Sequence, residues 1–185
     1  MPGNTNTEAY PKVNPDWLRF GSPNIYGESV PKLYASVDCA IAATGVELVF
    51  DMYIDAGVTI TALNFVTGGT AAGTPTNGYV VIRDSAGNKL AQSADFLTTA
   101  RAANTAYAGT LATAYTTPAA GLYRVGISFT ATTVPTLRGV SMLNAALAAA
   151  GRACSQTHGS GVLGVAPATV ATPTSAFVIP YVYIT

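Results

Sequence analysis

Glu47, Asp51 and Asp55 stand four residues apart within one run of alternating apolar and polar residues. Paired carboxylates are how glycoside hydrolases protonate a leaving group and activate water. Along an extended strand, however, residues four apart are separated by roughly 13 Å, at a rise of about 3.3 Å each. Retaining enzymes need about 5–5.5 Å and inverting ones about 6.5–9.5 Å. Neighbours on this strand miss both windows, so all three acids are expected on a hydrated outer face, although a carboxylate from another strand could approach one of them. His158 is the single histidine, and any His-based triad or acid–base scheme would depend on it. It sits beside glycines, and no Gly-x-Ser-x-Gly nucleophile elbow exists. An exposed loop imidazole is the expectation, and no catalytic residue is assigned.

Residues 159–164, Gly-Ser-Gly-Val-Leu-Gly, match the dinucleotide fingerprint literally. No strand leads into them, Pro167 follows closely, and no acid lies about 20 residues on to hold a ribose. The glycines from Gly68 to Thr74 lack the lysine of a phosphate loop and read as a turn. No cofactor is assigned. Cys39 and Cys154 are the only cysteines; two thiols without a His-rich neighbourhood make no zinc site, and no Asp-x-Asp-x-Asp-Gly loop offers calcium a cradle. No metal is assigned. Cys39 shares an apolar face with Leu33, Ala35, Val37 and Ile41 and reads as a small buried hydrophobe. Two buried free thiols are favoured over a Cys39–Cys154 disulfide.

Nine basic residues balance nine acids over 185 residues, and charged residues make up 10% of the chain, against roughly 25% in ordinary soluble domains. Lys12, Arg19, Lys32, Arg83, Lys89, Arg101, Arg124, Arg138 and Arg152 are scattered and form no basic patch, so nucleic acid is not an expected partner. A surface this poor in charge suits a protein that packs against copies or neighbours. The first residues lack the basic and apolar regions of a signal peptide. The longest apolar runs, 140–151 and 177–184, are shorter than the roughly 20 residues that span a bilayer. Synthesis in a cytoplasm and no membrane partner are expected.

These residues must be carried by strands. Residues 59–67, 78–83, 89–93, 108–113 and 122–130 are short apolar runs separated by turn signals, a spacing typical of sandwiches and barrels. Period-two alternation also marks 33–41 and 46–54. Within 122–130, Tyr123, Val125, Ile127 and Phe129 face one way. The run 59–67 mixes its parity, which a bulge or burial on both faces would explain. Ser141 could cap a short helix through Ala150, and Pro180 would place the run 177–184 at an edge or a bulge. The fold class is therefore all-β: an antiparallel, jelly-roll-like β-sandwich of about eight strands over residues 32–185, with one short helix, although strand count alone fits an immunoglobulin-like sandwich nearly as well. Residues 1–31 form an extended arm, broken by Pro2, Pro11, Pro15, Pro23 and Pro31. Tyr10, Trp17, Leu18, Phe20, Ile25 and Tyr26 are too apolar for a disordered linker. The arm either folds over its own domain or lies on a neighbouring subunit through those residues.

The turns carry a resemblance. Gly68-Gly-Thr-Ala-Ala-Gly-Thr-Pro-Thr-Asn-Gly78 and Asp84-Ser-Ala-Gly-Asn88, then Tyr115-Thr-Thr-Pro-Ala-Ala-Gly-Leu-Tyr-Arg124, then Ile179-Pro-Tyr-Val-Tyr-Ile-Thr185, in this order, resemble blocks in small virion proteins of tailed bacteriophages, especially those of actinobacterial hosts. The resemblance covers roughly Tyr34 to the C-terminus. It implies a non-enzymatic structural protein of the virion, a capsid decoration or head-fibre protein docking by its arm. Its implied partners are itself, with a trimer favoured, and the major capsid protein or tail proteins. The alternative it implies is a tail-fibre or receptor-binding module for host-surface glycans, using aromatics such as Tyr53, Tyr107 or Tyr115.

Overall fold

The computed structural model describes residues 25–141, 155–159, 164–170 and 173–185. In chain order the strands are β1 (Gly27–Glu28), β2 (Val37–Cys39), β3 (Glu47–Ile54), β4 (Thr59–Val66), β5 (Gly73–Arg83), β6 (Lys89–Gln92), β7 (Ala106–Thr116), β8 (Gly121–Thr133), β9 (Leu137–Ser141), β10 (Ser155–His158), β11 (Thr174–Ser175), β12 (Val178–Pro180) and β13 (Val182–Ile184). Every pairing is antiparallel.

One sheet runs β1-β13-β4-β7, the second β11-β10-β3-β8-β5-β6, and a small third β12-β9-β2. Setting the short additions aside, β1, β3, β4, β5, β6, β7, β8 and β13 count one to eight along the chain. Their sheets then read 1-8-3-6 and 2-7-4-5. Every connection except the β5–β6 hairpin crosses between the sheets, which is the jelly-roll arrangement. The chain is an all-β antiparallel sandwich.

The alternation in β3 and β8 builds the core. Leu48, Phe50, Met52 and Ile54 meet Val125, Ile127 and Phe129 beside them, and Ile60, Leu63, Phe65, Val182 and Ile184 from the facing sheet. Phe65 stacks on Tyr107 and meets Phe129 edge-on, with both centroids 5.7 Å away. The mixed parity of 59–67 has both of its anticipated causes. Register against β7 shifts between Ile60 and Ala62, and Ala62, Leu63, Asn64 and Phe65 are buried in succession. Gly87 takes the left-handed φ of +95° that the β5–β6 turn requires.

Several boundaries differ from the reading of the sequence. The run 33–41 is not one strand. Pro31, at φ −57°, opens a 3-10 turn over Lys32–Tyr34, which rotates Leu33, Tyr34 and Val37 outward and leaves them exposed. Of that face, Cys39 and Ile41 are buried. The sheet also starts before residue 32: Gly27 pairs with Ile184, and Ser29 Oγ both donates to Pro180 O at 2.6 Å and accepts from Val182 N at 2.9 Å. Pro180 sits in β12 at the rim of the small sheet, whereas β13, one residue beyond it, is interior to its own. Ser141 ends β9 opposite Val178; the rest of the expected helix, 142–150, lies outside the described residues.

Candidate functional site

Four strands of the larger sheet bring four polar side chains into one row on the face turned away from the core. His158 of β10 stands opposite Glu47 of β3, Glu47 opposite Ser128 of β8, and Ser128 opposite Tyr79 of β5. Directly opposed residues of antiparallel strands project to the same side, about 4.5–5.5 Å apart. Arg83, of the same parity as Tyr79 on β5, lays its guanidinium back towards Glu47. Gly126 on β8 makes room for this: a Cβ there would collide with Glu47 Oε1 and with Val81 Cγ1.

The result is a fork-to-fork ion pair. Arg83 Nε donates to Glu47 Oε1 and Nη2 to Oε2, both at 2.8 Å. Tyr79 donates its hydroxyl to Oε2 at 2.7 Å. His158 Nε2 lies 3.2 Å from the same oxygen, yet neither ring nitrogen makes an aligned hydrogen bond among the described residues. That approach is a close contact rather than a directed bond. The side chains of both Glu47 and Arg83 are wholly buried. Burial opposes ionisation of Glu47, but the contacts with His158, Arg83 and Tyr79 together outweigh it and hold the carboxyl below its ordinary value. Burial, reinforced by the charge of Glu47, pushes the Tyr79 phenol well above its ordinary value, so it stays a donor.

Residues 164–170 close over this row as a strap. Arg83 Nη1 donates to Pro167 O at 2.9 Å and to Gly87 O at 3.1 Å. Ala166 packs on Tyr79 and Val81, its N–H donates to Gln92 Oε1, and its carbonyl accepts from Lys89 Nζ. Backbone bonds from Lys89 N to Ala168 O and from Val170 N to Gly87 O pin the strap to the β5–β6 hairpin. Chemically, the row holds a fixed charge pair whose carboxylate oxygens are already committed. Its evident work is mechanical: it ties β3, β5, β10 and the strap together at one point.

Two expectations are overturned here. Glu47 is not on a hydrated face, because Arg83, Tyr79 and His158 close around its carboxylate and leave it wholly buried; Asp51 is mostly buried, 3.6 Å from Arg124, and Asp55 is exposed. His158 is not an exposed loop imidazole: it ends β10 and is buried, because 155–158 extend the sheet at the β3 edge. A hint was present in the sequence, since Val49 and Val81 are apolar on the parity that should be wet. Tyr107 and Tyr115 are half-buried, Tyr107 against Phe65 and Tyr115 against Tyr123, while Tyr53 is 44% exposed.

Cys39 is buried and its thiol is free, with Sγ donating to Val140 O at 3.4 Å. Burial, helped by the charge of Asp38, pushes it up to about 11. Cys154 lies outside the described residues. Of the proposed arm contacts, Ile25 is half-buried and Tyr26 is 48% exposed just before β1; Tyr10, Trp17, Leu18 and Phe20 lie outside the described residues. Among the described residues no three of His, Cys, Asp and Glu converge as metal ligands, and no helix is long and apolar enough to cross a membrane. No protein-family model matches the chain, and no curated protein or solved structure is significantly similar to it.

Proposed function

We propose that the chain is a non-enzymatic structural protein of a tailed-phage virion, a capsid decoration or head-fibre protein that docks by its N-terminal arm and packs against copies of itself. The family resemblance of the turns motivates the virion; one observation supports the packing. β4, β7 and β13 together contain no Asp, Glu, Lys or Arg, and β7, eleven residues long, is the rim of its sheet. Its Ala106, Ala108, Thr110, Ala112 and Ala114 are exposed. Proteins that must stay apart guard such an edge with charge, proline, a short strand, a bulge or a covering segment; β7 carries no charge and no proline, and beside the register shift against β4 its Leu111 makes one bridge, to Ser93. Its neutral rim fits a neighbouring subunit, with a trimer favoured by the resemblance and the major capsid protein or a tail protein as the further partner.

A second reading, a receptor-binding module for host glycans, draws on Tyr53 and Leu122. They stand directly opposite each other on β3 and β8 and are 44% and 47% exposed, an apolar platform of the kind on which a sugar ring could stack. Labelled-antibody microscopy of intact particles separates the readings: label on the head supports decoration, label at a fibre tip supports the second, and no label overturns both. Deleting residues 1–24 leaves β1 in place and tests the arm. The deleted chain should fold and lose particle occupancy; undiminished occupancy would mean that attachment lies on the sandwich.

A further inference from the structure

Asn77-Gly78 in β5 is the one Asn-Gly pair of the chain. Such a pair is chemically labile, because no side chain on the glycine hinders its amide nitrogen from attacking the asparagine Cγ. The packing calls for both residues. Gly78 is buried, and a Cβ on it would lie 2.9 Å from Phe96 Cδ2 and from Ser128 O, so the close approach favours glycine. Asn77 donates from Nδ2 to Asp95 Oδ2 at 2.6 Å. The backbone N–H of Gly78 donates to the other oxygen, Oδ1, at 2.9 Å, and so does that of Leu97 at 2.9 Å. Phe96 N donates to Gly78 O at 2.7 Å, which seats the start of the β6–β7 connection on the same pair. Gly164, at the head of the strap, packs so closely on the carboxylate that a Cβ there would collide with it.

One carboxylate thus holds both atoms that would react: the Gly78 nitrogen, which must lose its proton to attack, and Asn77 Nδ2, which must leave. A proton bonded to an anion is harder to remove. Ring closure also requires Asn77 to swing out of the extended backbone in which it pairs with Thr130. Burial opposes ionisation of Asp95, but the bonds from Leu97, Asn77 and Gly78 together outweigh it and hold the carboxyl below its ordinary value, so the clamp is charged at neutral pH. We infer that Asn77 is a deamidation site that Asp95 holds shut. When the clamp opens, the Gly78 nitrogen gives its proton to water or hydroxide and bonds to Asn77 Cγ. The Cγ–Nδ2 bond breaks, and Nδ2 takes up a proton and leaves as ammonia. Water then opens the succinimide ring at either carbonyl, giving aspartate or isoaspartate with no change of oxidation state. Either product sets a second carboxylate against Asp95, and like charges repel, so the change is one-way and loosens the β6–β7 connection from β5.

The test incubates the full-length chain in mildly alkaline buffer, folded and in guanidinium chloride. Peptide mass spectrometry follows residues 77–78 for the mass gain of an amide turned acid, and an isoaspartate methyltransferase assay detects the rearranged product. Wild type should react at Asn77 readily when unfolded and far more slowly when folded. Asp95→Ala, shown to be folded by circular dichroism, should react at Asn77 roughly ten- to a hundredfold faster than folded wild type, the weight of one hydrogen bond to a charged group. Equal rates in folded and unfolded wild type overturn the inference. So does a folded Asp95→Ala that reacts no faster than wild type, since the strand alone would then be the shield. Should Asp95→Ala fail to fold, Asp95→Asn, which keeps the shape and drops the charge, is read in its place. The comparison of folded with unfolded wild type needs no variant.

Discussion

Two buried arginines of the same sandwich meet opposite fates. Arg83 projects from the middle of a sheet and finds Glu47, whose two oxygens fill its Nε–Nη2 edge. Arg101 projects from a loop, finds the faces of Phe96 and Tyr107, and has an Nε without a partner among the described residues. Taking a charge out of water costs several kcal/mol unless it is paired and its remaining donors are bonded. Aromatic faces return about 2 kcal/mol or more when desolvated. The first arginine is therefore a structural rivet, whereas the second is held by aromatic faces and two backbone carbonyls. A buried residue type does not disclose its role; what occupies its hydrogen-bonding edge does.

The comparison can be broken most directly at Arg83. Arg83→Met strands Glu47 as an uncompensated buried charge and should destabilise the domain by about 3–5 kcal/mol, read from denaturant midpoints. Glu47→Leu added to it should recover most of the loss, since an apolar pair of similar volume is often as stable as the ion pair. If the double variant is as damaged as the single one, the row is not a coupled unit.

Acid should dissolve the same rivet. The carboxyl of Glu47 is held below its ordinary value in the folded protein, so the unfolded chain binds the proton more readily. Its contribution is present above the ordinary carboxylate range and is lost as pH falls through the folded value. Wild type should lose stability below about pH 5 more steeply than the Arg83→Met/Glu47→Leu variant. Equal slopes would remove Glu47 from the acid response.

Gly126→Ala puts a methyl where Glu47 Oε1 and Val81 Cγ1 already stand. Displacing a bonded carboxylate and a core-like valine should cost about 1–3 kcal/mol, and the unfolding midpoint should fall accordingly. A neutral result would mean that the row has slack.

The smallest effect is expected at Arg101. Arg101→Met gives up ring contacts but also removes an unpaired buried charge, so the net change should stay within about 1 kcal/mol. A loss as large as that of Arg83→Met would mean Arg101 is already paired, and would collapse the contrast.

Much of the sandwich was legible. The alternation in 46–54 and 122–130 belongs to strands β3 and β8 and to their buried faces, because side chains on an extended chain must point alternately to opposite sides. At the β5–β6 turn the chain supplies Gly87 where the backbone takes a left-handed φ, which favours glycine. The run 33–41 misled because its alternation continued through residues that Pro31 turns into a 3-10 segment. Glu47 and His158 misled for another reason. Each was assigned to water from its own neighbours, whereas each is buried by segments far away in the chain.

Local covalent geometry settled which residues could share a face, and composition settled that the strands would sandwich apolar faces with little charge outside. Whether the outer face at Glu47 is wet or dry depended on β10 pairing at the β3 edge and on the strap 164–170 lying across β5. Whether Arg83 is paired depended on the folded chain carrying Glu47 to it. The sequence alone determined the alternation, because parity is a property of consecutive residues. Partnership was decided by the tertiary structure, because a buried charge is stable or unstable according to groups that only the register of distant strands brings within 3 Å of it.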